Sequence, residues 1–323
     1  MPNRTPIEWT DYSSNPVKAR TISGKAGWAC VRVSAGCQNC YSATLNRRLG
    51  TGLDYTVPAL GRWYPYVDER ELQRMLTFRP KAPFKNGRSR PAVFLEDMSD
   101  LFGEWVPDAW LDRIMAACAL RPDVDWLFLT KRPERARAYL SDRNTEERIG
   151  MRRWELDGSP PVVKMPLPNV WMGASVENQA TADERLPELL ATPAAVRFVS
   201  YEPALGPADF TGITTPDGEC WNALDREEAR DAALEDACDG SLDWVIAGGE
   251  SGPKARPCDM AWIRSIRDQC QAAGVPVFIK QLGAKANFFN DDLGIPDRWI
   301  LKDRKGGDME EWPEDLRARE MPK

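Results

Sequence analysis

The stretch Asp125–Arg132, DWLFLTKR, places four apolar residues in a row, Trp126 to Leu129, and then stops on Thr130, Lys131 and Arg132. A strand with one wet face alternates apolar and polar side chains, so an unbroken apolar run predicts a strand covered on both faces. Six further runs share the pattern: IEWT from Ile7, AVFLEDMSD from Ala92, NVWMGASVE from Asn169, VRFVSYEP from Val196, DWVIAGGESG from Asp243 and VPVFIKQLG from Val275. Helical spacing lies between several of them. VPDAWLDRIMAACAL repeats Trp110, Leu111, Ile114, Met115 and Cys118 behind Pro107, and DMAWIRSIRDQC repeats Trp262, Ile263, Ile266 and Cys270.

Alternation of this kind predicts an α/β chain with a parallel sheet, and the strand ends favour a (β/α) barrel of the TIM type, partial or complete, over an open doubly wound sheet. The runs end on Asp97 and Asp100, Thr130 and Lys131, Ser175 and Glu177, Ser200 and Glu202, Gly248 to Ser251, and Lys280 and Gln281. At one strand end such groups would merely cap the next helix. At six, they predict a common mouth. The expected organisation is one domain over residues 1–323, with surface insertions near 141–168 and 211–241, the second carrying an acidic helix. A C-terminal extension over 290–323 is anchored by Trp299 and Trp312.

The chain has 323 residues, 42% hydrophobic, eight cysteines and no histidine. Without imidazole, Ser-His-Asp and Cys-His catalysis and all His-ligated metal sites are excluded. No apolar run is long enough for a membrane helix and the start lacks a secretory signal, so a cytoplasmic protein with no membrane partner is expected. In a reducing compartment the cysteines read as thiols or ligands, although spacing leaves a Cys220–Cys238 bridge open. The net charge of −6 hides a basic N-terminal third, with Lys18, Arg20, Lys25, Arg32, Arg47 and Arg48 around a cysteine cluster and Arg79, Lys81, Lys85, Arg88 and Arg90 beyond it. Such a patch suits nucleic-acid phosphates or an anionic cofactor; the plainer alternative is a solvated basic face.

The cluster itself is ACVRVSAGCQNCYS, residues 29–42, a C-x6-C-x2-C pattern of Cys30, Cys37 and Cys40. Thiolates select zinc, copper(I) or iron–sulfur clusters. Structural zinc asks for a fourth ligand that this loop does not offer, whereas a [4Fe-4S] cluster on three cysteines leaves one iron open, and this reading is favoured over zinc, a redox pair or inert thiols. Cys118 and Cys270 read as core, and Cys258 as a packed thiol rather than a fourth ligand. Candidate cofactor-binding groups are the Gly-rich turn Gly248, Gly249, Glu250 and Ser251, the cations Lys131 and Arg132, and Glu177, Glu202, Lys280 and Gln281.

The blocks IEWTDYSSNPV, CVRVSAGCQNCYS, MSDLFGEWVP, LTKRPER, ENQATADERLPELL, VSYEPALGP, GGESGPKARP and KQLG, in that order, resemble a phage-associated three-Cys-motif protein family, itself similar to radical S-adenosylmethionine (SAM) enzymes. The resemblance implies a radical-SAM-like barrel, a [4Fe-4S] cluster on Cys30, Cys37 and Cys40, and SAM at the open iron as the source of a 5′-deoxyadenosyl radical. It also implies an electron donor. The spacing differs from the C-x3-C-x2-C of radical SAM enzymes, and the connection KARTISGKAGWA ahead of Cys30 is longer than the family leads one to expect. On this reading Lys131 or Arg132 takes the SAM carboxylate, Glu250 and its glycines the ammonium or ribose, and Glu177, Glu202, Lys280 and Gln281 serve substrate or cofactor. The phage setting and basic patch suggest a nucleic acid or nucleotide substrate, modified or repaired, with room for a dedicated protein partner. The alternative class is a non-enzymatic iron–sulfur or zinc-stabilised module that binds nucleic acid or protein.

Overall fold

The computed structural model describes residues 2–53, 55, 62–215, 218–225, 240–290 and 295–322. Their contacts gather into two compact units, Met1–Met172 with Thr192–Ala195, and Gly173–Ala191 with Val196–Lys323. Eight strands share one sheet: β1 (Asn3–Arg4), β2 (Tyr12–Ser14), β3 (Ala92–Leu95), β4 (Asp125–Thr130), β5 (Val170–Val176), β6 (Val196–Tyr201), β7 (Trp244–Gly248) and β8 (Val277–Gln281). Sheet order equals chain order. β1 runs antiparallel to β2, while the pairs β2–β3, β3–β4, β6–β7 and β7–β8 are parallel. β5 is fully buried along its length, as its apolar run requires, and six of the seven expected strands form where the apolar runs lie. The exception is IEWT, whose Glu8 and Trp9 make a turn before β2; Trp9 is buried against Phe94, 4.8 Å between ring centroids.

The expected TIM-type barrel, partial or complete, is not formed. Closure would require the outermost strands to pair, and among the described residues β1 and β8, the two ends of the sheet order, do not pair with each other. In the first unit β1 adds antiparallel to β2. In the second, the end of the chain lies along β8: Ile279 donates to the Ala318 carbonyl at 2.8 Å, Glu320 donates to the Val277 carbonyl at 3.0 Å, and Phe278 bridges Arg319. Nor does a strand-helix unit repeat at every connection. Between β2 and β3 stands a separate antiparallel sheet, Ala26–Gly27, Val17–Thr21 and Trp63–Val67, and between β6 and β7 a hairpin of Ile213–Thr214 with Cys220–Trp221. The sequence shows which segments are strands; strand partners and edge covers lie too far apart along the chain for periodicity to reveal them.

Helices α1 (Tyr41–Arg48) and α2 (Glu69–Thr77) precede β3, and α3 (Asp108–Ala119) leads to β4. α2 starts at Asp68, whose carboxylate accepts from the backbone amides of Arg70 and Glu71. After β4 come α4 (Pro133–Leu140) and α5 (Thr145–Asp157), so the first half of the 141–168 stretch forms a helix packed on α3. α6 (Gln179–Leu190) opens with a capping box of Asn178 and Thr181, and α7 (Met260–Ala273) with Asp259. The acidic helix expected in the 211–241 insertion falls mainly on residues 226–239, outside the described residues. Of the C-terminal anchors, Trp312 is buried and donates to the Gly306 carbonyl, and Trp299 is half-buried and donates to that of Glu311. No helix of the described residues is long and apolar enough to cross a membrane.

Candidate functional site

In the first unit the polar ends of β2, β3 and β4 meet the cysteine loop. After β3 the chain turns at Glu96, a non-glycine residue at φ +60°, a conformation that costs about 1 kcal/mol or more and is kept where surroundings over-determine it. Glu96 is 2% exposed; one carboxylate oxygen accepts from the Val17 amide at 2.6 Å, while Oε2 has no hydrogen-bond partner. Burial pushes its carboxyl well above the usual range. The turn delivers Asp97, which accepts from Asn15 Nδ2 at 2.6 Å and whose carboxyl is also raised by burial. It then delivers Asp100.

Asp100 is buried and accepts four donors: Thr130 Oγ1 at 2.7 Å, the amides of Phe102 and Lys131 at 3.0 and 3.2 Å, and Arg132 Nη1 at 2.9 Å. Arg132 reaches further. Its Nη2 donates to the Val31 carbonyl at 3.1 Å, and its guanidinium lies 5.0 Å from the centre of the Trp105 ring. The cysteine loop is thereby tied to the end of β4. Ser99 donates to the Ala29 carbonyl, and buried Asn46 of α1 donates to the Trp28 carbonyl at 2.6 Å. Residues 28–31 are thus fixed from three sides.

The thiols hang from this scaffold. Cys30 follows Ala29 directly, Cys37 ends the 3₁₀ turn Ala35–Cys37, and Cys40 is the N-cap of α1. All three are half-buried and none is in a disulfide. Cys37 Sγ lies 3.8 Å from Ser34 Oγ, and Cys40 Sγ 3.0 Å from Ser42 Oγ. The Cys30 thiol is raised by burial first, then by Asp100; Arg132 opposes this, and Cys40 and Cys37 add to it. Cys30 is therefore within electrostatic reach of Cys37, Cys40 and the Asp100–Arg132 pair. Beside them Tyr55 is buried and donates to the Met98 carbonyl; burial raises its phenol, with Cys40 and Cys30 contributing. Tyr41 bonds the Asp97 carbonyl. Glu96 was visible in AVFLEDMSD yet passed over, while nothing local marks Tyr55 or Asn46, whose partners are distant in sequence.

The second unit holds most of the other nominated groups, and they are engaged internally. Glu202 pairs with Lys280 Nζ at 2.7 Å and accepts from Gln281 Nε2 at 3.2 Å; that amide also donates to the Gly249 carbonyl at 2.8 Å. Glu177, 1% exposed in its side chain, faces the equally buried Arg185 at 3.4 Å. Glu250 accepts from the Arg256 amide at 2.8 Å and from its guanidinium at 2.7 and 3.0 Å. Ser251 is exposed. The glycines serve packing: a Cβ on Gly249 would stand 2.3 Å from the Leu282 carbonyl oxygen, and one on Gly248 3.1 Å from that of Gln281. Backbone, not ligand, occupies the space that these glycines leave. Cys258 is buried with its thiol pushed up to about 12 by burial, and Cys118 and Cys270 are buried on α3 and α7.

The basic residues divide. Lys85 Nζ donates to the carbonyls of Thr5, Ile7 and Thr10 at 2.7, 2.6 and 2.9 Å, and burial lowers its pKa. Arg88 and Arg90 both pair with Asp125. Lys18 pairs with Asp68 at 2.6 Å. Arg20, Arg32, Arg47 and Arg48 are exposed. In the second half of the expected patch Lys85, Arg88 and Arg90 are therefore engaged within the fold, while Arg79 and Lys81 are exposed like the cations around the thiols.

No curated protein and no solved structure matches the chain. Residues 4–308 match a family described as "Protein of unknown function (DUF5131)", a span that includes the cysteine loop, β2 to β8 and both sets of charged strand ends. The chain belongs to that family.

Proposed function

We propose that this protein is an iron–sulfur enzyme of the reducing cytosol, with a [4Fe-4S] cluster on Cys30, Cys37 and Cys40. The observation that carries the reading is the set of three half-buried thiols hung from a loop fixed by Ser99, Asn46 and Arg132. Donor chemistry supports iron–sulfur over zinc. Structural zinc asks for four ligands and the loop offers three thiolates, Cys30, Cys37 and Cys40. A [4Fe-4S] cluster takes one cysteine on each of three irons and leaves the fourth iron open. A cluster so held supplies an electron and one iron open to a small molecule, for which SAM is the proposed ligand.

The chain's own residues would set the environment. Arg132, balanced by Asp100, offers positive charge beside Cys30 against the negative charge of a thiolate-bound cluster. Trp105 and Tyr55 limit water there. Lys131 or Arg132, at the end of β4, would receive a SAM carboxylate, with Arg132 also holding Asp100 and the Val31 carbonyl. The exposed Arg32, Arg47 and Arg48 support a nucleic acid or nucleotide as substrate.

The test is anaerobic reconstitution with iron, sulfide and zinc all present. About four irons per chain are expected, with loss of iron in Cys30→Ala, Cys37→Ala and Cys40→Ala but not in Cys258→Ala. Stoichiometric zinc without iron would replace the reading by that of a metal-stabilised binding module. If SAM leaves the reduced cluster's EPR spectrum unchanged, the cluster stands and its SAM ligand falls.

A further inference from the structure

The antiparallel sheet that carries the chain into the cysteine loop has two unlike faces. Strand Val17–Thr21 pairs with Trp63–Val67 in the register Lys18↔Tyr66 and Arg20↔Tyr64. One face, with Ala19 and Trp63, packs on Ala29 and Leu53. The other carries the alternate residues Lys18, Arg20, Tyr64 and Tyr66. On it Tyr64 is 58% exposed, and the Arg20 guanidinium stacks on the Tyr66 ring at 4.5 Å. Together with Thr21, Ile22 and Pro65 these residues line an open recess of about 390 Å³.

We infer that this face binds single-stranded nucleic acid, with bases stacking on Tyr64 and Tyr66 and phosphates meeting Arg20 and the surrounding cations. Charge selects the occupant. From Pro16 to Arg62 the chain carries seven Lys and Arg against one acid, Asp54, in a protein of net charge −6. Lys18 is neutralised by Asp68, which leaves Arg20 as the exposed cation on the face. Two tyrosines at alternate positions of one strand stand about 7 Å apart along it, so a strand of nucleic acid spreads its bases to use both. Bases paired inside a duplex keep their faces stacked and cannot use the rings, so the preference is for single strands. Backbone phosphates alone would make no such distinction. The inference rests on the nucleic-acid part of the proposed function and not on the cluster.

Fluorescence anisotropy with labelled oligo-dT and oligo-rU of about 20 nucleotides, and with a duplex of equal length, tests it. Single strands should bind more tightly than the duplex, with affinity falling steeply between about 50 and 200 mM salt. Tyr64→Ala and Tyr66→Ala should each weaken binding by about 5- to 100-fold, whereas Tyr64→Phe retains it. Arg20→Ala should weaken binding and lower the salt slope by about one. The two oligonucleotides tell DNA from RNA. Equal binding of duplex and single strand, no binding at low salt, or tyrosine variants that bind like the parent would each overturn the inference. Cys37→Ala should bind normally although it loses iron, and Tyr64→Ala should load iron normally although it binds more weakly, so the two readings fail separately. Loss of iron in Tyr64→Ala would make the face a structural support of the loop and overturn its binding role.

Discussion

Glu96 shows how one residue couples strain, burial and pH. It turns the chain at a positive φ and spends one oxygen on Val17, while its second oxygen lies buried without a partner. The folded state therefore holds the proton to higher pH than the unfolded chain, and burial is the cause. The sign follows from linkage. Stability from this group is complete below the ordinary value of 4.5 and is lost as pH rises towards the folded value. Asp97, raised for the same reason, acts in the same direction. Glu96→Gln keeps an acceptor for the Val17 amide and removes the ionisation. Urea unfolding between pH 4.5 and 8 should therefore show a flatter decline of stability in this variant than in the parent. Equal slopes would mean that Glu96 is ionised in the fold.

The turn from β7 into α7 separates two meanings of a glycine-rich strand end. Read locally, GGESG offers backbone amides to a ligand. In the fold, Gly249 lies against the Leu282 carbonyl and Gly248 has more room. Gly249→Ala has to push backbone aside and should cost about 3 kcal/mol or more, against about 1 kcal/mol for Gly248→Ala. Thermal unfolding of the two variants checks the order; comparable losses would show that the β7–β8 contact gives way easily. At the same scale Asn46 joins α1 to the loop before Cys30. Its replacement by Ala would leave the half-buried Trp28 carbonyl short of a donor, at a cost of about 1 kcal/mol.

Across the whole molecule, two strand edges are covered by unlike means. β1 pairs with β2, and residues 318–320 run along β8, with Trp244 donating to the Glu320 carbonyl and Glu320 accepting from the Val277 amide. An uncovered edge beside a fully buried strand offers unpaired amides to other chains. Ending the chain after Arg317 should therefore lower stability by a few kcal/mol, at about 1 kcal/mol per lost hydrogen bond, and cause concentration-dependent association on size exclusion. A shortened chain as stable and monodisperse as the parent would show that the tail is only an attachment.

The sequence by itself determined what is local. Apolar runs announced β3 to β8, helical spacing announced α3 and α7, and the C-x6-C-x2-C pattern marked the thiols before any coordinate. The absence of histidine restricted the chemistry outright. Tertiary structure alone decided what depends on partners far along the chain. Val17 meets Glu96 and Val31 meets Arg132 across 79 and 101 positions, and no periodicity carries such pairings. For the same reason the barrel could not be told from an open sheet: both need the same buried strands, and they differ only in what lies on the outermost edges. Pairing also settled which charged strand ends are engaged, as with Glu202 on Lys280 and Glu250 on Arg256. Register set Tyr64 and Tyr66 on one face with Arg20, because alternation fixes the faces of a strand while only its partner fixes which residues stand across from it.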